Sequence, residues 1–77
     1  MRAMEAVKEI MKIKDIRPAV LRDKLGIKKE QHNKLSERFK LKNVSVGKLD
    51  EMVRVMDYKI LIVPREVKEK KDWFKIE

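Results

Sequence analysis

Apolar residues recur along this chain with two different periods. From Arg2 to about Lys12, Met4, Val7 and Met11 follow one another at intervals of three and four, with Ala3 and Ile10 widening the stripe. That spacing predicts an amphipathic helix. Lys14 to Arg17 breaks the pattern, and Pro18 suits the first position of a second helix, where its missing N–H is not needed and its φ is already helical. This helix is predicted to run to about Leu25, with Leu21 and Leu25 inward and Val20 beside them. Gly26 stands where a helix needs a left-handed residue to close its last turn.

After Ile27 the chain is polar from Lys28 to Lys34, until Leu35 and Phe39 restore an apolar i, i+4 pair. The third helix starts either near Lys28 or near Asn33, a favourable capping residue; the second start is preferred, which makes Lys28 to Gln31 a lengthened turn. Lys40 to Val44 connects to the most legible helix, predicted from Val46 to about Met56. Ser45 is its N-cap, Leu49, Met52, Val53 and Met56 form its stripe, and Val44 and Leu49 have the spacing of a hydrophobic staple. Past Asp57 the composition changes. Tyr58, Ile60, Leu61, Ile62 and Val63 predict a strand that ends at Pro64. Both of its faces are largely apolar and its backbone groups require partners. The preferred partner is the same strand of a second molecule, because an antiparallel ribbon is self-complementary under two-fold symmetry; the alternative is a hairpin with Trp73 to Ile76 across the charged linker that precedes them. The chain thus divides into a domain over residues 1–64 and a charge-rich tail over 65–77.

A domain of 77 residues buries only about 60% of its unfolded surface, so support from a partner chain is expected. The absence of cysteine excludes disulfides and thiolate metal sites and suits a reducing compartment. No apolar run approaches the roughly 18 to 20 residues of a membrane span, and the N-terminus mixes charge into its apolar positions, unlike a signal peptide. A cytoplasmic protein without a membrane segment is the expectation. Twenty-one Lys and Arg against thirteen Asp and Glu give +8, a field attractive to polyanions. Between Lys28 and Lys42 six cations face two carboxylates, a net of +4 in one compact segment.

Catalysis finds no support. Asp23, Asp50, Glu51 and Asp57 are scattered among helix positions that need solubilising charge, and there is no glycine-rich phosphate loop. His32 lies alone in a polar run and reads as a surface residue or a phosphate contact, not a metal ligand. No catalytic residue, metal or cofactor is therefore assigned.

The helix joined through Leu25-Gly26-Ile27 to one ending in Phe39, and then LSERFKLKNVSVGKL leading into LDEMVRVMDYKILIVP, resemble the Cro/lambda-repressor-like (Xre type) helix-turn-helix regulators. The resemblance spans roughly Ala6 to Pro64 and is closest to the small members from phages, plasmids and integrated elements. It implies a mainly α, four-helix domain with a C-terminal β-strand paired across a homodimer, acting as a double-stranded DNA-binding transcriptional regulator, a repressor in the first instance. Arg22 stands where the family has Ala or another small residue, and Pro18 where Gln is frequent. If Leu35 takes the family's buried recognition-helix position, about three extra residues follow Gly26-Ile27; if Gly26 sets the register, His32 takes that position, and Leu35 fits the core better.

A major groove admits one α-helix, whose exposed face reaches base edges while flanking cations hold phosphates. In this register the base contacts are Asn33, Lys34, Ser36 and Glu37. The backbone contacts are Arg17, Lys28, Lys29, Arg38, Lys40, Lys42 and Asn43, and the dimer interface is Tyr58, Ile60, Leu61, Ile62 and Val63. The competing reading is a protein-interaction module, antitoxin-like or anti-regulator, whose strand joins a partner's sheet edge and whose Trp73-Phe74 tail docks beside it.

Overall fold

The computed structural model describes residues 1–31 and 33–77. The expectation for His32 lies outside them. Among the described residues the regular elements are helices: α1 (Ala3–Lys14), α2 (Pro18–Lys24), a single 3₁₀ turn (Lys29–Gln31), α3 (Asn33–Phe39) and α4 (Val46–Arg54). The chain is a small, mainly α domain.

Local chemistry accounts for the helix ends. At the start of α1 the Glu5 carboxylate accepts from the Arg2 backbone N–H at 3.1 Å, which meets a donor the helix leaves open. Pro18 occupies the first turn of α2 as expected, and the Ser45 hydroxyl caps α4 by accepting from the Lys48 N–H at 3.2 Å. Three helices close with the same wrap. Asp15, Gly26 and Asp57 lie at φ 53°, 75° and 63°. Each turns the chain so that the next residue bonds back to a carbonyl in the last helical turn: Ile16 to Met11 at 2.8 Å, Ile27 to Arg22 at 3.0 Å and Tyr58 to Val53 at 3.0 Å. This geometry satisfies carbonyls that would otherwise lack donors, and glycine adopts it with no Cβ penalty.

Helix α1 packs against α4, and the core lies between them and the two short helices. Met4, Val7, Ile10 and Met11 of α1 meet Leu49, Met52 and Val53 of α4, together with Met56, Leu21 and Leu35. Ala6 is also buried. Leu35 keeps only 3% of its surface exposed, so the register with Leu35 in the core is the one the chain adopts. The polar run before it is taken up by the 3₁₀ turn, in which the Gln31 N–H donates to the Lys28 carbonyl at 2.8 Å.

The third helix begins at Asn33, the preferred start. Two expectations differ from the structure. Val20 is 44% exposed, because successive helical residues point about 100° apart and burying Leu21 turns Val20 to the edge. Among the described residues no strand is formed over Tyr58–Val63 and no hairpin with 73–76. The physical reason is that the tail end bonds elsewhere: the Met1 nitrogen donates to the Lys75 carbonyl at 3.1 Å and the Glu77 N–H to the Met1 carbonyl at 3.0 Å.

The segment after α4 therefore forms an arm. It is anchored where Tyr58 and Phe74, both half-buried against the core, bring their rings to 6.3 Å. Between the arm and the α1–α4 face lies a concavity of about 710 Å³, floored by Ala6, Ile10, Leu49 and Val53.

Candidate nucleic-acid interface

The side chains predicted to meet DNA bases occupy one side of α3. Burying Leu35 sets the rotation of that helix. Asn33 and Glu37, one turn apart, lie opposite it, with Lys34 and Ser36 flanking them, and all four are exposed. The inward side is completed by Phe39 and Arg38, both half-buried, and the Lys8 ammonium lies 5.6 Å from the Phe39 ring centre. The α3 face is thus held on a packed helix and left free of the core.

The predicted phosphate-contact residues flank this face along the sequence, and all but Arg38 are exposed. Arg17 stands exposed at the N-terminal edge of α2, Lys28 and Lys29 are exposed at the 3₁₀ turn, and Lys40, Lys42 and Asn43 are exposed on the connector after α3. Arg38 differs, being half-buried with its Nη1 shielded from solvent and without a hydrogen-bond acceptor. Arg22, outside the predicted set, shares that condition at its Nε.

Charge is distributed unevenly. Arg17 to Lys48 holds ten basic and three acidic residues, a net of +7, whereas the seven basic and seven acidic residues after Lys48 cancel. Nearly all of the +8 therefore belongs to the stretch carrying α2, the 3₁₀ turn and α3. The α4 and arm side has local pairs instead, including Arg54 with Asp50 one helical turn before it.

The residues assigned to the dimer interface lie on that neutral side. Ile60, Leu61, Ile62 and Val63 are exposed, Ile62 to 99%. Tyr58 differs, packing its ring with Phe74 while the Lys14 ammonium lies 5.8 Å from its centre. Partial burial, and secondarily the Asp72 carboxylate, push the Tyr58 phenol above its ordinary value of 10.0.

Among the described residues, no three His, Cys, Asp or Glu side chains converge as metal ligands, and no helix is long and apolar enough to cross a membrane. The class defined so far is a small α-helical domain whose positive charge is concentrated in residues 17–48. Neither protein-family models, nor curated proteins, nor solved structures provide a match to this chain.

Proposed function

We propose that this protein is a sequence-specific double-stranded DNA-binding transcriptional regulator that works as a homodimer, with α3 as the helix that enters the major groove. The observation that carries this reading is the exposure of Asn33, Lys34, Ser36 and Glu37 together opposite the buried Leu35, within the segment that holds +7 of the +8 charge. Asparagine is suited to the adenine edge and lysine to guanine. Glu37 accepts from a cytosine amine or orients a neighbouring cation. The exposed cations at the 3₁₀ turn and on the connector would hold phosphates, which set register without reading sequence. The resemblance to Cro/lambda-repressor-like regulators supports the same assignment, and a repressor is its simplest form.

The dimer would form through the arm. Its apolar Ile60–Val63 segment has no strand partner within the chain, and pairing with its symmetry mate would supply one while keeping the two basic sides apart.

Duplex binding followed against salt tests the reading. Affinity should fall linearly on a log–log scale, with a slope near −0.9 for each phosphate neutralised. Lys34→Glu combined with Lys40→Glu, both exposed positions, should abolish binding with an unchanged circular dichroism spectrum. Salt-independent or absent binding by the folded wild type excludes the proposal.

A protein-interaction module, antitoxin-like or anti-regulator, is favoured by one observation: Leu61, Ile62 and Trp73 stand exposed on the same uncharged half. Under that reading the chain is monomeric alone and forms a stable complex only with a partner's sheet edge, an outcome that a sizing measurement separates from a homodimer.

A further inference from the structure

A second groove, of about 470 Å³, lies where the end of α1, the start of α2 and the last residue of α3 converge. Met11, Ile16, Pro18 and Phe39 form its apolar lining. Its charged lining is Lys8, Lys12 and Arg17 with the Asp15 carboxylate, three cations against one anion. Lys8 and Lys12 stand four residues apart and share one face of α1. Phe39 holds Lys8 at the groove, with its ring centre 5.6 Å from the ammonium; such a contact orients a cation without neutralising it. Lys12 pairs with Glu9 at 3.4 Å, both side chains being exposed, and an exposed pair of this kind contributes little. Arg17 was expected at a phosphate from the sequence. The groove brings two cations of α1, with no such expectation, to the same place.

We propose that this groove is a second strip of the DNA interface, in which Lys8 and Lys12 bind phosphates of the duplex backbone beside the bases read by α3. The assignment rests on the DNA-binding reading above. A nucleic-acid strand fits because of how the lining alternates. Its backbone presents anionic oxygens interspersed with the apolar faces of the sugars, and the groove presents ammonium and guanidinium groups interspersed with Ile16, Pro18 and Phe39. Reach agrees with charge. The seven residues of α3 span about 10 Å, close to the roughly 12 Å width of a major groove. A strand bordering the major groove therefore lies within reach of cations placed at the end of the helix that enters it. Contacts of this kind set register and strengthen binding without reading sequence.

The test compares wild type with two double variants: Lys8→Gln with Lys12→Gln, and, as a control on the arm, Lys70→Gln with Lys71→Gln. All four lysines are exposed. Duplex affinity is measured across a salt series on a selected site and on random sequence. The α1 variant should bind both more weakly by the same factor, with a log–log salt slope shallower by about 1.8, or 0.9 for each phosphate lost. The arm variant should keep the wild-type slope. A second measurement uses wild type alone, so a folding defect in a variant does not remove the test. In saturating duplex, chemical acetylation read by mass spectrometry should slow severalfold at Lys8 and Lys12 and stay unchanged at Lys70 and Lys71.

If wild type binds duplex while the α1 variant keeps its slope and Lys8 and Lys12 are acetylated as fast as in the free protein, the groove lies outside the interface and the DNA reading stands. An equal loss of slope in the arm variant would reduce the effect to overall charge and overturn the assignment. If poly-glutamate protects Lys8 and Lys12 and duplex does not, the groove belongs to an acidic protein partner. Absence of duplex binding by folded wild type removes the DNA reading and the groove assignment together.

Discussion

Gly26 and Gly47 are the two glycines of the chain, and they carry opposite consequences. Gly26 lies at φ +75°, and a Cβ there would meet nothing within 4 Å. Its replacement by alanine is penalised by backbone strain alone, about 1 kcal/mol. Gly47 also faces open space, but it lies in the first turn of α4, where alanine relieves the entropy cost of ordering a glycine. Gly26→Ala should therefore lower stability by roughly 1 kcal/mol and Gly47→Ala raise it by up to about that amount. Denaturant midpoints at constant slope check both signs. Gly26 was legible as a helix stop from its place after an apolar stripe. Asp15 and Asp57 hold the same left-handed conformation and were not legible as such, because aspartate adopts it only when the surrounding chain requires the turn.

At the level of elements, the four helices could be read from apolar spacing and caps, because both act within one or two helical turns. The arm could not be placed that way. A run of six residues, five of them apolar, is equally compatible with an internal hairpin and with a shared ribbon, and the choice depends on where the tail goes. The tail bonds to Met1 and packs Phe74 on Tyr58. This anchoring carries a pH signature. The Tyr58 phenol is raised above 10.0, so the folded protein holds that proton more tightly than the unfolded chain. Its contribution is fully present below the unfolded value and is lost as pH rises through the raised one. Stability should be flat with respect to Tyr58 at neutral pH and decline above about pH 10, and Tyr58→Phe should remove that part of the decline. Alkaline unfolding curves of the two proteins, with phenolate absorbance followed in parallel, provide the comparison.

For the molecule as a whole, the proposed dimer rests on the separation of charge along the chain. The stretch from Arg17 to Lys48 with +7 repels its like, whereas the residues after Lys48 carry no net charge and expose Leu61 and Ile62 at 55% and 99%. Contiguous exposed apolar residues of this kind mark association surfaces. Wild type at micromolar concentration should sediment as a dimer. Leu61→Lys with Ile62→Glu should give a monomer that keeps its helical signal, since neither side chain contributes to the core. Duplex affinity should fall with the loss of dimerisation, because a monomer engages one half-site only. A wild type that remains monomeric while binding DNA tightly would separate dimerisation from function.

The chain's own order of residues determined the helices, their caps, the inward face of α1 and α4, and the confinement of the positive charge to the middle of the sequence. These depend on periodicity and on neighbours within a few residues. Tertiary packing decided the rest. It chose Leu35 over a register set by Gly26, since only an apolar side chain can fill that place without losing hydrogen bonds. It set the rotation of α3, and with it the outward direction of Asn33, Lys34, Ser36 and Glu37. It also shielded Arg22 Nε and Arg38 Nη1 from solvent, a state that local spacing does not encode.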